Sequence, residues 1–261
     1  MARIYPLFSS SKGNATFIGT PEGGILIDAG VSAKRLKDGL TRCGLSFSSI
    51  RGIFITHSHS DHIAGLRVLS KQISVPIFAQ PLTMRELIDG GHVAEGASLR
   101  ELDSHPFCFS DMQVTPFDTP HDTVQSCGYR IDLPDGRCCA VCTDLGFVPQ
   151  NVAKMLHGCD LVLLEANYDE NMLRTGPYPR QLQNRIASSS GHLSNRAAGE
   201  AAKKLIASGT ARLILGHLSE NNNTPQLAEE AVVSALTGAK RGLDYMLDIA
   251  KPETEGRMIA F

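Results

Sequence analysis

The stretch from residue 51 to 73, RGIFITHSHSDHIAGLRVLSKQI, constrains this chain more than any other, because it sets four metal-binding side chains where a strand gives way to a helix. Ile53, Phe54 and Ile55 form a short apolar run of β-formers, and Ile63, Leu66, Val68, Leu69 and Ile73 recur at roughly helical spacing. His57, His59, Asp61 and His62 crowd the turn between them. Alternate residues of an extended segment project to one side, so His57 and His59 can grip one ion. Asp61 and His62 are offset from that pair, which makes the turn a shared site for two adjacent divalent cations. A lone histidine on a polar loop reads as solvated surface. Three imidazoles and a carboxylate flanked by apolar segments that bury the turn do not: they would repel one another if protonated and lack partners if left empty.

Other candidates stand where apolar runs break into turns, the places at which open α/β layers expose side chains to a cleft. They are His121 in TPHD, Asp144 in VCTDLG and His217 at the end of ARLILGH. Asp28 closes the apolar run GILIDAG and reads as a support or turn former rather than a ligand, since its neighbours bring no other donor. Ser9–Asn14 joins two amino-terminal strands, and its small, donor-rich residues suit an anion-binding nest or a plain hairpin turn equally. Residues 167–190 are long, polar and interrupted by Pro and Gly, and carry Tyr168, Arg174, Tyr178, Arg180 and Arg185. A connection of that length predicts a lid or substrate loop.

The 261 residues, 42% of them hydrophobic, suffice for a continuous core, and without repeats or linkers they read as one domain, 1–261. No run approaches the roughly 20 apolar residues that span a bilayer, and the amino terminus lacks a secretory stretch, which predicts a cytoplasmic protein without a membrane partner. Seven scattered cysteines form no disulfide framework, and Cys139-x-x-Cys142 lies in a strand-like run whose positions three apart face opposite sides. A net charge of −2 provides no global basic field, so binding of a nucleic acid has to come from local groups.

The H-x-H-x-D-H pattern resembles the signature of the metallo-β-lactamase fold superfamily. That resemblance implies a four-layer αββα sandwich, two mixed sheets between helices, with the site along one edge. It also implies a ligand set: His57, His59 and His121 for one ion, Asp61, His62 and His217 for a second, and Asp144 bridging, with Zn²⁺ or Mn²⁺ as the metal. Flavodiiron proteins carry glutamate where this chain has His59, and true β-lactamases lack a bridging carboxylate at Asp144. What remains resembles the glyoxalase II, ribonuclease Z and phosphodiesterase branches. The segments FSSSKGNA, LIDAG, THSHSDHIAGL, TPHDT, CTDLG, LEANYD, GPYP, GHLSN and LGHLSENN, spread over residues 8–223, are similar to YycJ/WalJ-type proteins. These resemble ribonuclease J without its inserted β-CASP domain, and the family implies a 5′-to-3′ exonuclease acting on DNA.

His192 is left spare by the ligand count. It either packs against the helix that follows or acts on the substrate, and GHLS resembles the histidine loop of ribonuclease Z, which implies proton transfer. LEAN resembles that enzyme's glutamate segment, so Glu165 would orient His192 and keep it protonated, while Asp61 counts as both ligand and catalytic group. The expected function is a dinuclear phosphodiesterase acting on nucleic acid; the alternative is a small-molecule hydrolase for a thioester, lactone or cyclic phosphodiester. Arginines and tyrosines in 167–190 suit phosphates and stacked bases, whereas a small-ester pocket favours apolar walls.

Overall fold

The computed structural model describes residues 3–20 and 23–261. β1 (Arg3–Ser10), β2 (Gly13–Thr20) and β3 (Gly23–Ile27) form an antiparallel meander, and α1 (Ala33–Arg42) crosses to β4 (Ile50–Phe54), which is parallel to β3. The short helices α2 (Ser60–Ile63) and α3 (Leu66–Gln72) lead to β5 (Ile77–Ala79), and α4 (Pro81–Asp89) leads to β6 (Leu99–Glu101). A second antiparallel meander follows: β7 (Phe107–Phe109), β8 (Met112–Asp118), β9 (Cys127–Asp132) and β10 (Cys138–Cys142). After α5 (Gln150–Leu156) comes β11 (Leu161–Glu165), then α6 (Glu170–Thr175), α7 (Arg180–Ile186) and α8 (Asn195–Ala207). β12 (Arg212–Gly216), α9 (Pro225–Ala235) and β13 (Met246–Ile249) extend the second sheet in parallel, and β14 (Ile259–Ala260) returns to pair with β1.

Among the described residues this gives two seven-stranded mixed sheets, ordered β14-β1-β2-β3-β4-β5-β6 and β13-β12-β11-β10-β9-β8-β7. Period-two alternation sorts the strand residues between three apolar layers. Leu161 and Leu163 pack between the sheets with Ile18, Ile27 and Tyr129, while Val162 and Leu164 pack outward with Val152, Ala202 and Leu205 of α5 and α8. On the far side Leu26 and Ile53 meet Leu36, Leu40, Leu66 and Leu69 of α1 and α3. The result is the expected αββα sandwich. Truncating a fully buried leucine such as Leu163 to alanine would cost about 2–5 kcal/mol. Cys139 falls in the inner layer and Cys142 in the outer one, and all seven cysteines are free thiols, so the CxxC run builds no shared site. No helix among the described residues is long and apolar enough to cross a membrane.

Three expectations change in detail. Ser9–Asn14 is mostly strand, closed by a tight turn at Ser11-Lys12 in which Ser10 pairs with Gly13. The helix after the histidine turn divides at Gly65, where a Cβ would lie 1.9 Å from the Val31 carbonyl oxygen. Residues 167–190 are not an irregular lid but carry α6 and α7. Asp169 accepts from the Asn171 and Met172 amides and so starts α6, while Pro179 precedes α7; both helices are too short for their periodicity to stand out in the sequence.

Candidate metal centre

The expected ligands converge on one edge of the sandwich, from the loops that follow β4, β8, β10 and β12 and, for Asp61 and His62, from α2. Asp28 (φ 61°), Asp144 (φ 60°) and His217 (φ 55°) adopt the left-handed conformation as their strands end, a strain of roughly 1–3 kcal/mol each that concentrates at working sites. His57, His59 and His121 each offer a ligand atom within 4.8 Å of the others, and so do Asp61, His62 and His217. Asp144 lies between the two groups. Its carboxylate is 3.3 Å from His62 Nε2, 3.3 Å from His217 Nδ1 and 3.8 Å from His121 Nε2.

One ring nitrogen of most imidazoles is committed to the protein. His121 Nδ1–H donates to the Gly191 carbonyl (3.0 Å), His62 Nδ1–H to Asp28 Oδ2 (2.7 Å) and His217 Nδ1–H to Glu165 Oε1 (2.8 Å). The Thr56 hydroxyl donates to Asp28 and so accepts from His57 Nδ1–H (3.0 Å). Each ring thereby presents Nε2 to the centre, the tautomer that metal-binding histidines adopt. His57 Nε2 and Asp144 Oδ2 are buried and have no hydrogen-bond partner. Buried polar atoms are rarely left so, and a cation is what their chemistry takes. The residues fit divalent metal ions.

The charge pattern agrees. Burial opposes a proton on His62, yet Asp144, Asp61 and Asp28 together hold its pKa well above the ordinary imidazole range. The field that favours a proton there favours a cation in the same place. Burial and the neighbouring His62 push His57 well below that range. Asn14 was not foreseen as a supporting group: Nδ2 donates to the Ser10 carbonyl (3.0 Å) and to Asp61 Oδ2 (3.2 Å), and lies 3.1 Å from His62 Nε2. Ser9 Oγ accepts from the His217 amide (2.8 Å). The donor-rich loop therefore braces the site with side chains.

Glu165 and His192 also meet here. Glu165 Oε1 accepts from His192 Nδ1–H at 2.8 Å, and Oε2 accepts from the Leu145 and Leu193 amides. Burial disfavours charge on His192, but the Glu165 carboxylate holds its pKa above the ordinary value. Asp61, Asp144, His192 and His217 line a cavity of about 400 Å³, together with Tyr178 and Arg185 from the segment expected to meet substrate. Arg185 is paired through Nε with Asp122. Tyr168 is instead buried, and Arg174 bonds Asn171 on its own helix.

Gly30 of the LIDAG run is required by close approach: a Cβ there would lie 1.7 Å from the Asp61 carbonyl oxygen. Gly30→Ala is expected to cost about 1–3 kcal/mol by overpacking and to displace Asp61. Thermal unfolding and metal titration of the variant check this; an unshifted Tm with unchanged metal affinity would contradict it.

A sequence profile described as "Beta-lactamase superfamily domain" matches residues 24–218, three quarters of the chain. The chain belongs to the metallo-β-lactamase superfamily. Within that superfamily it is 32% identical over 256 residues to exodeoxyribonuclease WalJ of Streptococcus pneumoniae, covering 95% of this chain and 94% of that one. It is 34% identical over 246 residues to exodeoxyribonuclease YycJ of Bacillus anthracis, covering 93% and 92%. The metallo-β-lactamase fold protein YhfI from Bacillus subtilis superposes with a TM-score of 0.74 at 15% identity, over 99% of this chain and 98% of that chain, a likeness of fold. Membership and the donor set make this metallo-β-lactamase superfamily chain a metal-dependent hydrolase.

Proposed function

We propose that the chain is a single-domain, dinuclear phosphodiesterase that shortens DNA from its 5′ end. The observation that carries this reading is the shared carboxylate, Asp144, set between two groups of three ligand atoms. His57, His59 and His121 would hold one ion, Asp61, His62 and His217 the other, and Asp144 both, with Zn²⁺ or Mn²⁺ suited to the imidazole and carboxylate donors. Bound there, such ions would polarise a water for attack at phosphorus and offset charge on the phosphoryl oxygens.

The chain's own residues supply the rest. Asp61, fixed by Asn14 and 3.4 Å from His217 Nε2, orients the attacking water at the cavity wall. His192, with Nδ1 tied to Glu165, has Nε2 to give a proton to the departing 3′ oxygen, whose own pKa lies far above 7. Support for DNA comes from the two relatives named exodeoxyribonucleases, matched over nearly their whole length, and from Tyr178 and Arg185 on the cavity wall. A small thioester or lactone calls for apolar walls instead. Seven free thiols agree with a reducing, cytoplasmic setting.

The test uses metal-stripped protein reloaded with Zn²⁺, Mn²⁺ or Mg²⁺. Metal analysis is expected to find two ions per chain, and end-labelled single-stranded DNA to shorten from the 5′ end into small products. Nitrocefin should remain untouched. One ion at full occupancy that survives Asp144→Ala would remove the dinuclear reading, and faster hydrolysis of a thioester or nitrocefin than of any phosphodiester would replace the nuclease.

A further inference from the structure

A second groove, of about 550 Å³, runs between α1 and α3 on the outer helical layer. Lys34 and Lys37 of α1 line one wall, Ala64 and Val68 line the other, and half-buried Phe47 adds an aromatic ring. Four cations of these two helices, Lys34, Lys37, Arg67 and Lys71, make no ion pair among the described residues, whereas Arg35 and Arg42 are engaged by Glu253. The one carboxylate on either helix, Asp38, is not part of the groove lining. In a chain of net charge −2 this is a local concentration of uncompensated positive charge.

The groove is also close to the metal centre. Ser60 lines the catalytic cavity and Ala64 lines the groove, and the Ala64 amide donates to the Ser60 carbonyl. The two residues therefore sit about one helical turn apart, about 6 Å along the axis, and both are exposed. A strand leaving the cavity across Ser60 continues past Ala64 into the groove that Lys34 and Lys37 line.

Resting on the nuclease reading above, we infer that the α1–α3 groove is the track for single-stranded DNA beyond the scissile nucleotide. Lys34 and Lys37 take its phosphates and Phe47 offers a face to a base. Charge complementarity selects a polyanion, and the aromatic ring and half-exposed Val68 suit a strand whose bases are unpaired. The catalytic cavity then reads the end of the strand while the groove holds its body.

The test compares wild type with Lys34→Ala/Lys37→Ala and Lys34→Glu/Lys37→Glu, all metal-loaded, on a long single-stranded oligonucleotide, a dinucleotide and bis-(p-nitrophenyl) phosphate. Losing two phosphate contacts should flatten the dependence of log KM on log salt by about 1.4 for the long strand, roughly 25-fold in KM at 0.1 M relative to 1 M salt. The charge reversal should weaken it further. The dinucleotide and the small diester, too short to reach the groove, should be cleaved as by wild type. Unchanged KM and salt slope on the long strand would overturn the track, as would equal losses on all three substrates. Failure of wild type to cleave the long strand at all would instead overturn the nuclease reading and this inference with it.

Discussion

His192→Ala is expected to keep its metal ions and to lose about 10²–10⁴-fold in DNA hydrolysis, the range for removal of a general acid. The motive is geometric: His192 lines the cavity, its Nδ1 donates to Glu165 at 2.8 Å, and that carboxylate favours the protonated ring. On bis-(p-nitrophenyl) phosphate, whose leaving group departs without a proton, the loss should be much smaller. The ratio of the two losses is the informative quantity. Equal losses on both substrates would make His192 a structural residue, and loss of metal would make it a ligand.

Glu165→Gln should do more damage than its size suggests. The carboxylate is fully buried and accepts from four donors: the Leu145 amide (3.1 Å), the Leu193 amide (3.0 Å), and Nδ1 of His192 and His217 (2.8 Å each). Burial alone would raise its pKa, but the His192 charge and the hydrogen bonds from His192 and His217 hold it down to about 2. An amide group has only one accepting oxygen, so in either orientation its NH₂ faces two donors, at a cost of about 1–3 kcal/mol for each buried group left unsatisfied. Metal affinity should fall about 10–100-fold, as when the partner of a metal-binding histidine is lost. DNA hydrolysis should fall at least as far as in His192→Ala, because one substitution releases both His217 and His192. Metal titration and rates on DNA check this, and wild-type affinity with wild-type rate would show that the carboxylate's charge is dispensable.

Much of this protein could be read along the chain. Apolar runs that break into polar turns mark the strands, and the run Ile53–Ile55 with His57, His59, Asp61 and His62 directly after it marks the candidate site. Those are local signals: residue type, period and the end of an apolar run lie within a few positions of one another. Asp28 was foreseen as a support because its run holds no second donor, and it does contact His62 and Thr56 rather than the cavity. The short helices α6 and α7 were missed for the converse reason. Their capping residues stand among other polar, Pro- and Gly-containing positions, and so few turns leave no periodic stripe.

The sequence by itself determined where apolar runs break into polar turns and which side chains are candidate donors, since each depends on residues adjacent in the chain, while the αββα layer order came only with the resemblance to the superfamily. Only the tertiary structure decided which donor atoms come within reach of one another, which ring nitrogen faces the centre, and which groups brace it. Asn14 reaches Asp61 across 47 positions, His121 leans on Gly191 across 70, and Ser9 meets His217 across 208. The union of Lys34 and Lys37 with Phe47 and Val68 in one groove likewise depends on how α1 packs beside α3. No local pattern encodes such contacts, because they arise where two sheets and their helices are pressed together by burial of apolar surface, and the polar loops at the sandwich edge go where that packing carries them.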